Sequence, residues 1–600
     1  MAERCSSALR PNHARLLIAL VLVAIIAFPT PASAASVCLE LGLLAVNEDN
    51  GALHGEVIPA QLTVTWPGNG TVSLLSSNDI GPSTRVSTFI AFQVAAILAG
   101  IDPRYYNVTI TFKTEEPVSG PSASGFIAAA LYSIFIGLEP SKKATMTGMT
   151  SATGFVLPVA GLSYKLEAAA REGYVVTIVP WQPDILENSS LPPQGLTIRH
   201  ACSIEDAALL LAGGNPVNLT TRLALNPLTL FGNEVAKFRY YALLFSNYTL
   251  KLVDSIDNEH VAKIVERLAR ESITIADKSP YSAASMAFLS LYLASTAVAE
   301  QHGYAAVERL LGVSIEDILA EARTSVEHAA SLFNYTGSCG LWGFEALAAA
   351  KLRLYLAEHA AKSDDEDVKV LALLRAYSAE SWAKLARVDY GPRVSCAELR
   401  EAVRILVNYA NYTYEYLASI IDRYINVTRM VDGRTIEEWL ADARHALENG
   451  DYALAAGIAL YVVDEVEQIL ITSSPLPQSC VLGRAERIEI LQYGRGLLGL
   501  VSGLTLAYAL GEANLTANIT GNHNIPEGLA ITSIVWSLLP LTLTSIEPSG
   551  APAPTLAPAS CPLRSIQQYI MALVIVSAVL AILAYASALT ARRARLEVVQ

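Results

Sequence analysis

Residues 119–126 read SGPSASGF, three serines, two glycines and a proline set between the alternating NVTITF (107–112) and the apolar IAAALYSIFIGL (127–138). A strand, a Gly-Pro turn and a small-residue helix start aim backbone N–H groups and the positive end of a helix at one hydroxyl. That geometry suits an oxyanion, and a serine N-cap produces the same pattern. A nucleophilic serine also needs a base. The histidines His54, His200, His260, His302, His328, His359, His445 and His523 are scattered and form no HExxH pair, so a zinc site is not expected. The turn is not GxSxG, because Ser124 stands at the second glycine position. There is no Walker A loop, and SWAK at 381–384 matches SxxK without a KTG or SDN, so it reads as a helix surface.

A lysine can replace histidine if burial lowers its pKa enough for it to accept the serine proton. The surrounding region offers Lys113, Lys142, Lys143 and Lys165. Lys165 stands apart, inside GLSYKLEAAAREG and directly after the apolar GFVLPVAG, where an amine can be shielded.

The elements that must position these residues alternate in type from about 55 to 214. QLTVTW and TVSLLS read as short strands around the turn PGNG, STFIAFQVAAILAG as a helix, NVTITF as a strand, FIAAALYSIFIGL as a helix and GYVVTIVP as a strand. CSIEDAALLLAG opens with Ser203 and Asp206 as a capped helix closed by Gly213. The expected class is an α+β domain. Residues 230–545 read as a helical domain of hairpin-like pairs without a fixed repeat period, with Thr435 and Glu438 as a capping box. The apolar stretches 497–511 and 528–546 are expected to be buried helices.

Taken together, SGPSASGF, ATMTGMTSATGFVLPVAGLSYKLEAAAREGYVVTIVP and the closing IEDAALLL closely resemble the proteolytic domain of the Lon proteases. The resemblance implies Ser122 as nucleophile and Lys165, 43 positions on, as general base, with Thr147 of MTG hydrogen-bonding near the lysine. It implies backbone donors from Gly120 to Ala123 for the oxyanion, and leaves Ser119 and Ser124 to stabilise the turn. The chain departs from the family at Ser119, where an acidic residue is common, at Met149 for a glutamate, and at Ala160 for a glycine. These changes bear on subsites more than on the dyad. Rings are common in the family, so a homo-oligomer is an expectation.

The ends of the chain add a location. Residues 1–34 carry arginines, an apolar core and an Ala-Ser-Ala site, and read as a signal peptide. Residues 547–562 form a Pro-rich stalk, 569–589 an apolar span long enough for a bilayer, and 590–600 a basic tail with Arg592, Arg593 and Arg595. The basic cluster stays cytoplasmic, which puts the bulk of the chain outside. Sequons at Asn69, Asn107, Asn188, Asn218, Asn247, Asn334, Asn411, Asn426, Asn514 and Asn518 fit that location. So do six cysteines beyond the signal, Cys38, Cys202, Cys339, Cys396, Cys480 and Cys561, expected to form disulfides whose pairing stays open. A net charge of −14 without a basic block argues against nucleic acid. The reading is a membrane-anchored, single-pass, ATP-independent serine endopeptidase acting outside the cytoplasm on peptides or unfolded proteins without a cofactor. The alternative is a surface scaffold whose Lon-like domain no longer cleaves.

Overall fold

The computed structural model describes residues 35–49, 51–181, 193–215, 226–421 and 434–546. The signal, stalk, membrane span and basic tail, and the sequons at Asn188, Asn218 and Asn426, lie outside the described residues.

Alternating and apolar residues at 35–75 form three strands, β1 (Ala35–Asp49), β2 (Ala52–Trp66) and β3 (Val72–Leu75). The long β1 begins some twenty residues before the expected domain start, and its whole length pairs antiparallel with β2, from Ala35 opposite Trp66 to Asp49 opposite Ala52. Helix α1 (Pro82–Ala99) has proline in its first turn and closes on left-handed Gly100. Then come β4 (Asn107–Phe112), α2 (Ser124–Ile136), β5 (Ala144–Met146), the small hairpin β6 (Met149–Thr150) and β7 (Val156–Leu157), α3 (Leu162–Arg171), β8 (Val176–Pro180), β9 (Thr197–Ala201) and α4 (Ile204–Leu211). Ser203 caps α4 by accepting the Asp206 N–H at 3.2 Å.

Seven strands make one mixed sheet in the order β3-β4-β2-β1-β5-β8-β9. The β2 pairings with β1 and β4 are antiparallel, while β1, β5, β8 and β9 run parallel to one another in sequence. Neighbouring residues on a strand point to opposite faces. Leu43 and Ile178 accordingly enter the large core shared with α1, α2 and α4, while Leu44 and Val179 enter a small second core with Leu162, Leu166 and Ala169 of α3. Among the described residues, helix α3 thus lies alone on the second face.

From Pro227 onward the described residues are almost entirely helical, and the Thr435–Glu438 capping box is present. The apolar core is continuous from the sheet into these helices, so α1 is covered by Cys396–Ile420 and Leu538–Ile546 rather than by solvent. Pro280–His302 and Ile525–Ile546 are long and apolar enough to cross a membrane, yet 67% and 78% of their most apolar windows are buried in the fold. The expectation of a buried helix for 528–546 matches that burial.

Candidate active site

Ser122 sits in the turn two residues before α2, half-buried. Its carbonyl accepts the Gly148 N–H at 3.0 Å, and Gly125 N–H donates to the Gly148 carbonyl at 2.9 Å. This reciprocal pair stitches the serine turn to the end of β5. The approach demands glycine, since a Cβ on Gly125 would stand 2.7 Å from the Gly148 oxygen. Ser124 is spent on structure: its hydroxyl donates to the Pro121 carbonyl at 2.7 Å and accepts the Thr150 N–H at 2.9 Å. Ser119 is exposed.

The expected oxyanion donors divide. The Gly120 N–H is given to Ser83 Oγ at 3.2 Å, while the Gly120 carbonyl accepts from Thr84 at 3.1 Å. Its φ of +103° is one that side chains rarely adopt. Pro121 has no N–H. The N–H groups of Ser122 and Ala123 make no hydrogen bond among the described residues and stand at the N-terminus of α2, where partial positive charge accumulates. Thr147 is fully buried, its N–H bonded to the Ile178 carbonyl at 3.0 Å and its hydroxyl facing the Ser122 carbonyl at 3.5 Å. It ties the serine turn to the sheet.

Lys165 enters from the other face of the sheet. Helix α3 starts at Gly161, which packs so closely on Val46 that a Cβ there would stand 2.6 Å from the valine Cγ2. Leu43 of β1 is in register with Met146 of β5, so Val46, three residues on, lies at the same strand end as Thr147 and Gly148. Lys165, one helical turn from Gly161, and Ser122, bonded to Gly148, therefore come to one end of the sheet from opposite faces. Lys165 is 3% exposed, and burial alone pulls its pKa from 10.5 down to about 8. The other candidate lysines are solvated: Lys113 pairs with Glu40 at 2.8 Å on the surface, and Lys142 and Lys143 are exposed.

Residues 151–155, between β6 and β7, are held by groups the sequence gave no reason to connect with them. Glu467, fully buried, accepts the Ala152 N–H at 2.8 Å and the Thr153 hydroxyl. Tyr409 donates to the Ala152 carbonyl. Arg484 donates through Nε to the Thr153 carbonyl at 3.1 Å, pairs with Glu205 at 2.7 Å and lies over the Phe155 ring at 5.1 Å. Arg487 pairs with Asp206 at 2.5 Å, and Cys202 is bonded to Cys480 across the same junction. A second disulfide, Cys339–Cys396, lies within the helical region. The partners are 257–331 residues apart in the chain, too far for local patterning to reveal.

Of the described sequons, Asn69, Asn247, Asn334, Asn514 and Asn518 are exposed. Asn107 is half-buried and uses Oδ1 to accept the N–H groups of Asn69 and Thr71, and the Asn411 amide nitrogen donates to Glu415 at 2.7 Å.

Residues 80–206 match the model of the Lon protease (S16) C-terminal proteolytic domain. The matched, sheet-bearing part of the chain is similar to the proteolytic domain of the Lon-type serine peptidases. It is similar to the archaeal Lon protease of Thermoplasma volcanium, 32% identical over 143 residues, covering 23% of this chain and 22% of the relative. It is likewise similar to the archaeal Lon protease of Archaeoglobus fulgidus, 41% identical over 104 residues and 17% of each chain, and to Lon protease 2 of Bacillus subtilis, 32% identical over 83 residues, 14% of this chain and 15% of the relative. The match thus spans about a fifth of the length of the archaeal relatives.

Proposed function

We propose that this chain is a membrane-anchored serine endopeptidase that works without ATP outside the cytoplasm, with Ser122 and Lys165 as its catalytic dyad. The observation that carries the reading is the meeting of the serine turn and the start of α3 at one strand end, with the lysine amine stripped of water. Neutral Lys165 Nζ takes the Ser122 Oγ proton as the oxygen attacks the scissile carbonyl. The N–H groups of Ser122 and Ala123 receive the developing oxyanion. The lysine ammonium then protonates the leaving amine, and a water activated by the same lysine releases the acyl group.

Thr147 positions the turn in this scheme, and Gly120 shapes it. No group in the mechanism calls for a metal or cofactor. With no Walker A loop in these 600 residues to drive unfolding, the substrates are peptides and unfolded or flexible chains. Residues 569–589 anchor the chain, residues 1–34 export it, the bulk lies outside, and the basic tail lies in the cytoplasm. The disulfides Cys202–Cys480 and Cys339–Cys396 and five exposed sequons among the described residues support an oxidising, extracytoplasmic setting.

A fluorophosphonate probe tests the nucleophile. Mass spectrometry should find the adduct on Ser122, formed faster as pH rises and lost in Lys165→Met. An adduct on another serine, or labelling indifferent to Lys165, contradicts the dyad. Hydrolysis of casein by the same preparation should be unchanged by ATP with magnesium; stimulation contradicts ATP independence.

A further inference from the structure

In the helical region, four helices, Phe238–Leu252, Pro280–His302, Leu341–Ala360 and Glu366–Ala383, line a partly open cavity of ≈ 130 Å³. Apolar rings make much of its wall, among them Phe245, Phe288 and Trp382. Two guanidinium groups line the same space, those of Arg353 and Arg375. Cations in such a setting ordinarily face carboxylates.

Here neither arginine makes an ion pair among the described residues. Arg353 Nη1 donates to the Ala349 carbonyl at 3.1 Å, within its own helix. Arg375 Nε is fully buried and has no hydrogen-bond acceptor. The rings offset part of this cost, since Arg353 lies 5.3 Å from the Trp382 centroid and Arg375 5.5 Å from that of Phe288. A ring face cannot accept from the several in-plane N–H groups that each guanidinium carries. The charge of Arg375 acts on Glu465, which does not line the cavity, and Glu380, whose charge reaches the cavity-lining Tyr241, is paired with Lys384 at 2.8 Å. Burial and then the like charge of Arg375 hold Arg353 below its ordinary pKa, at about 10. Such an arrangement is costly by itself and becomes favourable once an anion lies between the two groups.

We infer that this cavity binds a small organic carboxylate with an apolar body, its two oxygens accepting from Arg353 and Arg375 and its body lying against Phe245, Phe288 and Trp382. The size is that of one aromatic ring with its substituent, by comparison with cavities of ~150 Å³ that take up benzene. The terminal residue of a peptide and a free aromatic acid share this chemistry. The inference stands on the helical region alone and does not depend on the dyad.

Calorimetric titration of the full chain in detergent with phenylacetate, phenylacetamide, inorganic phosphate and N-acetylphenylalanine tests it. Phenylacetate should bind, the isosteric amide should bind at least tenfold more weakly, and Arg353→Met and Arg375→Met should each weaken the acid at least tenfold. Tighter binding of N-acetylphenylalanine than of phenylacetate assigns the site to peptide ends, and the reverse order to free acids. Both variants should fold, because each removes one of two half-buried like charges, and phenylacetate should raise the thermal midpoint of the parent protein but of neither variant. Equal binding of acid and amide, no binding of the acid, phosphate binding more tightly than phenylacetate, or undiminished binding by both variants overturns the inference.

Discussion

Lys165 in the sheet domain and Arg484 in the helical region are both cations at the limit of burial, 3% and 1% exposed, yet they are treated in opposite ways. Arg484 has a full set of partners: the Thr153 carbonyl, the Glu205 carboxylate and the face of Phe155. Lys165 is depressed by desolvation with no carboxylate to hold it charged. A satisfied buried charge fixes one arrangement of neighbours. An unsatisfied one is easily deprotonated, which a structural cation must avoid and a general base needs. Arg484 and Glu467 hold the 151–155 segment still, while Lys165 is buried with its pKa lowered by desolvation.

The sharpest break in this comparison comes from the dyad itself. Ser122→Ala should reduce hydrolysis of an unfolded protein by about 10⁴-fold or more, and Lys165→Met by about 10²–10⁴-fold, both with folding intact by circular dichroism. Next in size is Arg484→Met. Leaving Glu205 and the Thr153 carbonyl without their cation should cost about 3–5 kcal/mol in denaturant unfolding. Cys480→Ser, which opens a loop of 278 residues, should cost about 2–4 kcal/mol, read as a lower thermal midpoint under non-reducing conditions.

Lys165→Met should do the reverse. Its folded-state pKa lies below its ordinary value, so the unfolded chain holds more protons between about pH 8 and 10.5, and stability rises with pH across that window. Below about pH 8 the buried ammonium is a standing cost, and its removal should stabilise the protein by about 1–3 kcal/mol at pH 7. A destabilised, inactive Lys165→Met would mean that the amine has a structural partner. The smallest change is Ser124→Ala, which should lower stability by about 1–2 kcal/mol through the orphaned Thr150 N–H while keeping most activity.

Much of the site was legible because its signals are local. The Gly-Pro-Ser turn, the MTG segment and the lysine helix each read within a few residues, and the resemblance to Lon proteolytic domains linked them. The strand β1 was missed because Leu43 and Leu44 both point into cores, one on each face, which blurs the alternation that marks a half-exposed strand. Gly120 was expected to donate to an oxyanion, but Ser83, on the preceding helix, takes its N–H, a contact made by folding α1 across the turn. The hold of Glu467, Tyr409 and Arg484 on residues 151–155 leaves no trace in either segment read alone. Disulfide pairing was open for the same reason, since only the folded chain brings Cys202 to Cys480.

The central claim is most directly tested by the pH dependence of kcat/KM for casein hydrolysis by the full chain without nucleotide, measured beside Ser122→Ala, Lys165→Met and Ser124→Ala. Activity should rise with pH about a midpoint near 8, as Lys165 loses its proton, survive in Ser124→Ala and vanish in the other two. An acid optimum, or cleavage that persists in Ser122→Ala and Lys165→Met, would contradict the account.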